Sequence, residues 1–183
     1  EEKYITGDAK DREKFQKWVE TLEMAIGNPL YHWSHLELKR YFGYEHCLNR
    51  ESAEEVWNFC NEKLRGGLTA RTFIQMSHVR LLCTTDDPLD SLEWHKKLRE
   101  DRSFQAQVLP TFRPDRAMSL KRLDYIDYID RLSQLSGIRI SSFEDLIEAL
   151  RKRMDFFTNM GCCISDHGLD YVMYHPASKD KIE

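Results

Sequence analysis

The sequence predicts an α/β fold in which a helix-rich segment, residues 1–78, precedes parallel βα units over residues 79–183. Three short apolar runs, at 79–83, 107–109 and 162–164, each stop abruptly in charge and turn residues. Helical patterns separate these runs, so they read as buried parallel strands joined by helices. The residues before 79 carry helix signals and no strand signal. Parallel sheets bind ligands at the carboxyl ends of their strands. Thr84-Thr85-Asp86-Asp87-Pro88, Pro110-Thr111-Phe112-Arg113-Pro114-Asp115 and Ser165-Asp166-His167-Gly168 are therefore expected to share one functional face.

The elements follow in order. Asp8 can cap a helix whose apolar face is Phe15, Trp18, Val19, Leu22 and Ile26, with Gly27 as its end. Asn28 and Pro29 supply a cap followed by proline at the first helical position, and that helix continues to Gly43. Ser52 with Glu55 reads as a capping box before Val56, Phe59, Cys60 and Leu64, with Gly66 and Gly67 as the stop. A short helix over 70–77 leads into the first strand. Further helices are expected at about 89–100, 119–135 and 143–160. The last is announced by Ser142 with Asp145, by the set Phe143, Leu146, Ile147, Leu150, Met154 and Phe157, and by Gly161 as terminator. Trp18, Trp57, Phe59, Phe156 and Phe157 fall at helical spacing and are expected in the core. No repeat, low-complexity tract or flexible linker is visible.

Composition bounds the function. A chain of 183 residues, 41% hydrophobic, can bury a core of one domain or one and a half. That is too short for a closed barrel of eight βα units. A charged fraction of 32% with net charge −4 describes an ordinary soluble surface and leaves no basic excess for nucleic acid. No apolar stretch approaches the ~18 residues of a membrane span, and Glu1-Glu2-Lys3 opens no signal peptide. A soluble cytoplasmic protein is expected. The five cysteines, Cys47, Cys60, Cys83, Cys162 and Cys163, are odd in number and lack Cys-x-x-Cys spacing, which argues for small buried hydrophobes rather than disulfides or a zinc ribbon.

Four segments together resemble the uronate isomerases, the glucuronate isomerase branch of the amidohydrolase superfamily. They are Gly27-Asn28-Pro29-Leu30-Tyr31-His32-Trp33-Ser34-His35-Leu36-Glu37-Leu38 with Tyr41-Phe42-Gly43, then Thr84 through Leu92, then Val108 through Asp115, and Gly161 through Asp170. The resemblance runs in order over essentially the whole chain. It implies a (β/α)₈ barrel that converts D-glucuronate to D-fructuronate, and D-galacturonate to D-tagaturonate, as a homo-oligomer with a divalent metal, zinc, in the full-length parent. It also implies that these residues correspond to a helical insertion, 1–78, plus about three barrel strands within 79–183, without the family's metal ligands and without its proton-transferring His-Tyr pair. No metal is therefore expected on this chain alone. The alternative is a non-catalytic α/β fragment, or a sugar-acid-binding module lacking the metal site.

Arg113 is the leading site residue. A guanidinium fork at a strand end can grip a uronate carboxylate through two parallel charge-assisted hydrogen bonds, and the family's arginine in this motif binds substrate. Read without the family, Phe112-Arg113-Pro114 would be a surface arginine beside a turn. His167 is expected in the active site with its role open, oriented by Asp166, or else as a histidine capped in a turn. Asp86, nearer the strand, is the better pocket-lining carboxylate. Asp87 before Pro88 suits a helix N-terminus, and Asp115 shares that ambiguity. His32 and His35, three apart on a helix, could suggest a metal pair. Zinc helices use His-Glu-x-x-His, so the segment reads better as a packed aromatic helix anchored by Trp33 and Leu36. His46, His78, His95 and His175 receive no assignment.

Overall fold

The computed structural model describes residues 1–168, 174 and 176–181. The chain forms two compact units, Glu1–His78 and Val79–Glu183.

The first unit is helical: α1 (Asp11–Glu23), α2 (Pro29–Glu37), α3 (Ala53–Arg65) and α4 (Ala70–Met76). Val19 and Leu22 of α1 meet Ala53 and Val56 of α3, with Tyr44 and Leu48 from the intervening loop, in one buried cluster. Asn28 accepts from the Leu30 amide ahead of Pro29, as the cap signal requires. The helix then widens into a π turn over Leu38–Phe42, which Gly43 ends at φ 74°. Two expected caps do not form. Asp8 lies outside α1, whose N-cap is Lys10 without a side-chain bond, because Ala9 turns its amide back to the Lys3 carbonyl. Ser52 is drawn into a turn by Asn49, donating its hydroxyl to the Cys47 carbonyl at 2.8 Å instead of capping α3. Trp33 is 55% exposed and Trp18 41% exposed, so neither is the buried anchor its helical spacing suggests.

The second unit is the α/β part: β1 (Leu81–Cys83), α5 (Glu93–Glu100), β2 (Gln107–Leu109), α6 (Asp115–Met118), α7 (Tyr125–Ser136) and α8 (Phe143–Asn159). β1 and β2 pair in parallel, Leu81 opposite Gln107 and Cys83 opposite Leu109. This two-stranded sheet replaces the three strands expected. The run at 162–164 joins only through one parallel bridge, Phe112 with Ser165, and the Phe112 amide donating to the Ile164 carbonyl at 3.2 Å. The cause is local. Gly161 adopts φ 92° and the Cys162 amide returns to the Phe157 carbonyl to close α8, so the first residue of that run is spent on a helix end. The first strand is also shorter than expected, with Val79 and Arg80 outside it and His78 at φ 52° where the chain turns in.

Helix α8 begins with the expected capping box: Ser142 accepts from the Asp145 amide and Asp145 reaches back. Its buried stripe, Ala149, Arg153 and Phe157, keeps i, i+4, i+8 spacing. Tyr128 and Leu132 of α7 pack with Ala149, Ala117 and Leu89, and a second cluster joins Leu92, Phe112, Phe157 and Met160. The latter lies directly beneath the strand ends.

Candidate functional site at the strand ends

Three segments converge where the sheet ends. The Asp86 amide donates to the Thr111 carbonyl at 3.2 Å, and the Arg113 amide donates to the Asp86 carbonyl at 3.0 Å. A parallel bridge pairs Asp86 with Phe112, and Phe112 in turn bridges Ser165. Asp86, Arg113 and the 165–168 turn are therefore held as neighbours by backbone hydrogen bonds beyond the last regular pair. The structure thus brings together the polar ends of the three runs.

Asp86 is 8% exposed. Its Oδ2 accepts from the Thr84 hydroxyl at 2.6 Å and from the Thr111 amide at 3.1 Å. A carboxylate that deep requires such donors. Arg113 is one-third exposed and grips Asp166 side-on, Nε to Oδ1 at 2.8 Å and Nη2 to Oδ2 at 2.6 Å. Asp115 sits at 3.7 Å from Nε. The pairing uses two of the five guanidinium donors. Nη1 and the second hydrogen on Nη2, the end-on edge of the fork, have no partner among the described residues.

His167 is 43% exposed, and its Nδ1 stands 3.9 Å from Asp115 Oδ1. That oxygen accepts from the Gly168 amide at 2.7 Å, so Asp115 ties down the turn that carries the histidine. Asp166, expected to orient His167, is committed to Arg113 instead. Asp115 does not cap α6, whose N-cap is Pro114. Asp87 accepts from the Leu89 amide at 2.9 Å within a turn, not at a helix end, since α5 begins at Glu93. Burial raises the Asp87 carboxyl above the ordinary aspartate range.

Hydrogen bonding from Arg113 holds the Asp166 carboxyl below its ordinary value of 3.8. A carboxyl whose value falls on folding stabilises the structure above the unfolded value, and that contribution disappears as pH falls through the folded one. Titration of Asp166 by carboxyl-carbon NMR is thus expected to give a midpoint below 3.8. Arg113→Gln should move it back up. An unchanged midpoint in the variant would show that the pair does not persist in solution.

Two buried polar residues escaped the sequence reading. His95 of α5 is 7% exposed and lies 2.7 Å through Nε2 from the Thr84 hydroxyl. Its signal was present: Leu92, His95 and Leu98 are three apart, which puts the imidazole on the apolar stripe. Arg153, also 7% exposed, donates Nε to the Pro88 carbonyl at 2.6 Å and Nη2 to the Asp90 carbonyl at 2.9 Å. It braces the loop that follows Asp86. Burial lowers its value from the usual arginine range.

His35 is structural. Its Nδ1 bonds the Tyr31 carbonyl at 2.7 Å and its Nε2 accepts from the Leu48 amide at 3.0 Å, which leaves neither nitrogen for a metal. Among the described residues no group of three or more His, Cys, Asp or Glu is placed to hold a metal ion. The described residues therefore do not fit the divalent ion that the resemblance implies. Among them, too, no helix is long and apolar enough to cross a membrane.

Parallel strand ends bearing an arginine fork, carboxylates and a histidine define an α/β protein with a polar site at the carboxyl edge of its sheet. The family follows from comparison with known proteins. The family described as glucuronate isomerase matches residues 1–183, and the chain belongs to it. A uronate isomerase of Lachnospira eligens is 62% identical over 184 aligned residues, covering 100% of this chain and 39% of that protein. One from Endomicrobium trichonymphae is 60% identical with the same coverage. The crystal structure of uronate isomerase from Thermotoga maritima superposes with a TM-score of 0.84 at 35% identity, covering 91% of this chain and 37% of that one. The chain thus spans 39% of the length of these curated relatives.

Proposed function

We propose that this chain forms part of a cytoplasmic uronate isomerase and supplies the wall of its active site that holds the substrate carboxylate. The observation that carries the reading is the half-used fork of Arg113: Asp166 takes the side-on edge, and the end-on edge remains to take a second carboxylate. A uronate presents such a group at the end of the molecule opposite its aldehyde. Asp166 pre-orients the guanidinium, so less side-chain freedom is lost when substrate binds. The two-stranded sheet belongs, on this reading, to a (β/α)₈ barrel whose remaining strands lie outside these residues.

Aldose to ketose isomerisation needs a base to remove the proton from C2, an acid to deliver one at C1, and stabilisation of the enediolate between them. Proton transfer by a placed side chain supplies ~10²–10⁴-fold. His167, exposed beside Asp115, is assigned to proton movement, and Asp86, with Oδ2 occupied by two donors, offers Oδ1 as the acting oxygen. D-Glucuronate to D-fructuronate and D-galacturonate to D-tagaturonate are the reactions proposed.

Assaying the enzyme that contains this sequence beside the purified 183-residue chain tests the reading. Turnover of D-glucuronate is expected from the former and none from the latter. Failure of the former to isomerise either uronate would refute the function. Turnover with stoichiometric metal in the latter would refute the assignment of this chain to one wall of the site.

A further inference from the structure

We propose that Thr84 and His95 are positioning residues for the strand-end site, forming a part-buried relay that locks the Asp86 carboxylate and, through it, the backbone of Arg113. The inference rests on the reading that Asp86 and Arg113 belong to the uronate site.

Proton accounting sets the order of the relay. Thr84 Oγ1 lies 2.6 Å from Asp86 Oδ2, 2.7 Å from His95 Nε2 and 3.3 Å from the Leu109 carbonyl. A hydroxyl has one hydrogen to give. The Leu109 carbonyl already accepts from the Thr84 amide at 3.0 Å, whereas the carboxylate oxygen is nearest and can only accept. The hydroxyl hydrogen therefore belongs to Asp86. His95 must then be the donor, with Nε2–H directed at the Thr84 lone pair. Its Nδ1 is buried without a partner among the described residues, so nothing there competes for the proton. One tautomer follows from the network.

The consequence reaches the site. Oδ2 is held between Thr84 and the Thr111 amide, which restrains the Asp86 side chain, and the Asp86 carbonyl holds the Arg113 amide at 3.0 Å. α5 thereby reaches the Asp86 carboxylate through the Thr84 hydroxyl. Its imidazole is 3.8 Å from Asp86 Oδ1, outside hydrogen-bond distance, so the hydroxyl is the link that matters.

The test combines a spectroscopic reading with kinetics. In nitrogen NMR of the enzyme that contains the chain, His95 should show Nε2 protonated and Nδ1 bare. Thr84→Ser should keep that pattern, and Thr84→Val should lose it. In the enzyme that contains the chain, Thr84→Val should lower kcat/KM on D-glucuronate about 10- to 150-fold, the effect of one hydrogen bond to a charged group. Thr84→Ser should restore it to within about threefold. His95→Leu should match the valine variant, His95→Gln, which keeps a donor, should lose less, and the Thr84→Val/His95→Leu double should be no worse than the poorer single. A role confined to stability would lower the folded fraction and leave kcat and KM of the folded enzyme unchanged, which overturns the inference. So would an imidazole protonated at Nδ1, or single losses that multiply in the double. If Thr84→Val is neutral while Asp86→Asn and Arg113→Lys are severe, the relay is wrong and the site reading stands. If Asp86→Asn and Arg113→Lys are neutral as well, the site reading fails and the inference with it.

Discussion

Replacing Phe157 by alanine is expected to destabilise the unit Val79–Glu183 by ~3–5 kcal/mol, the range for deleting a fully buried aromatic ring. Phe157 has 0% exposure and meets Phe112 edge-on, with ring centroids 5.2 Å apart and planes at 89°. Such an arrangement adds to area burial because the positive ring edge faces the negative ring face. Phe112 is 3% exposed and stands between Thr111 and Arg113, so the cavity would open directly beneath the strand ends. Urea unfolding of the parent and variant chains measures the loss, and hydrogen exchange at the amides of Phe112 and Arg113 locates it. Phe157→Leu, which refills much of the space, should cost less. A loss below ~1 kcal/mol for alanine would mean that the neighbouring side chains collapse into the cavity and that α8 does not support the site.

This coupling of core to site explains which parts of the fold were legible in the sequence. Strong local chemistry was readable: Asn28 with Pro29, the Ser142–Asp145 box, and glycine at 43 and 161, where positive φ is required. What failed depended on competition between neighbours. Ser52 has the residue type of a cap, but Asn49 claims it first. The run at 162–164 has strand composition, but the end of α8 uses its first amide. A strand is defined by its partners, and no single-chain pattern shows how much of the ladder will form.

The site divided in the same way. The proximity of Arg113, Asp86 and His167 was legible because each follows an apolar run, and the backbone bonds between those runs bring them into one neighbourhood. Their pairings were not recognisable. Asp166 was expected to serve His167, its chain neighbour, yet it bonds Arg113, 53 residues away. Asp115, left open between helix end and pocket, is the first residue of α6, and its side chain accepts from the Gly168 amide rather than capping the helix. Sequence adjacency misleads in turns because successive side chains point apart, whereas charge finds the nearest opposite charge in space. His95 and Arg153 carried a signal of another kind, a polar residue on an apolar stripe, which marks either a broken helix face or a buried network.

Arg113→Lys in the enzyme that contains this chain is expected to lower kcat/KM on D-glucuronate about 10- to 150-fold, the equivalent of one charge-assisted hydrogen bond. Lysine keeps the charge but replaces the planar fork with a single compact ammonium. The guanidinium can hold Asp166 on one edge while its other edge takes a carboxylate. An ammonium has no second planar edge, so Asp166 and substrate would compete for the same donors. Most of the loss is expected in KM, since on the proposed reading the carboxylate lies far from the reacting carbons and would be held alike in the ground and transition states. The fold should be undisturbed, since the arginine side chain is one-third exposed and its backbone bond to Asp86 does not involve the side chain. Steady-state kinetics on D-glucuronate, with thermal unfolding as the control, decide the matter. Kinetics equal to those of the parent at unchanged stability would show that Arg113 does not hold the carboxylate and that the grip must be sought elsewhere in the enzyme.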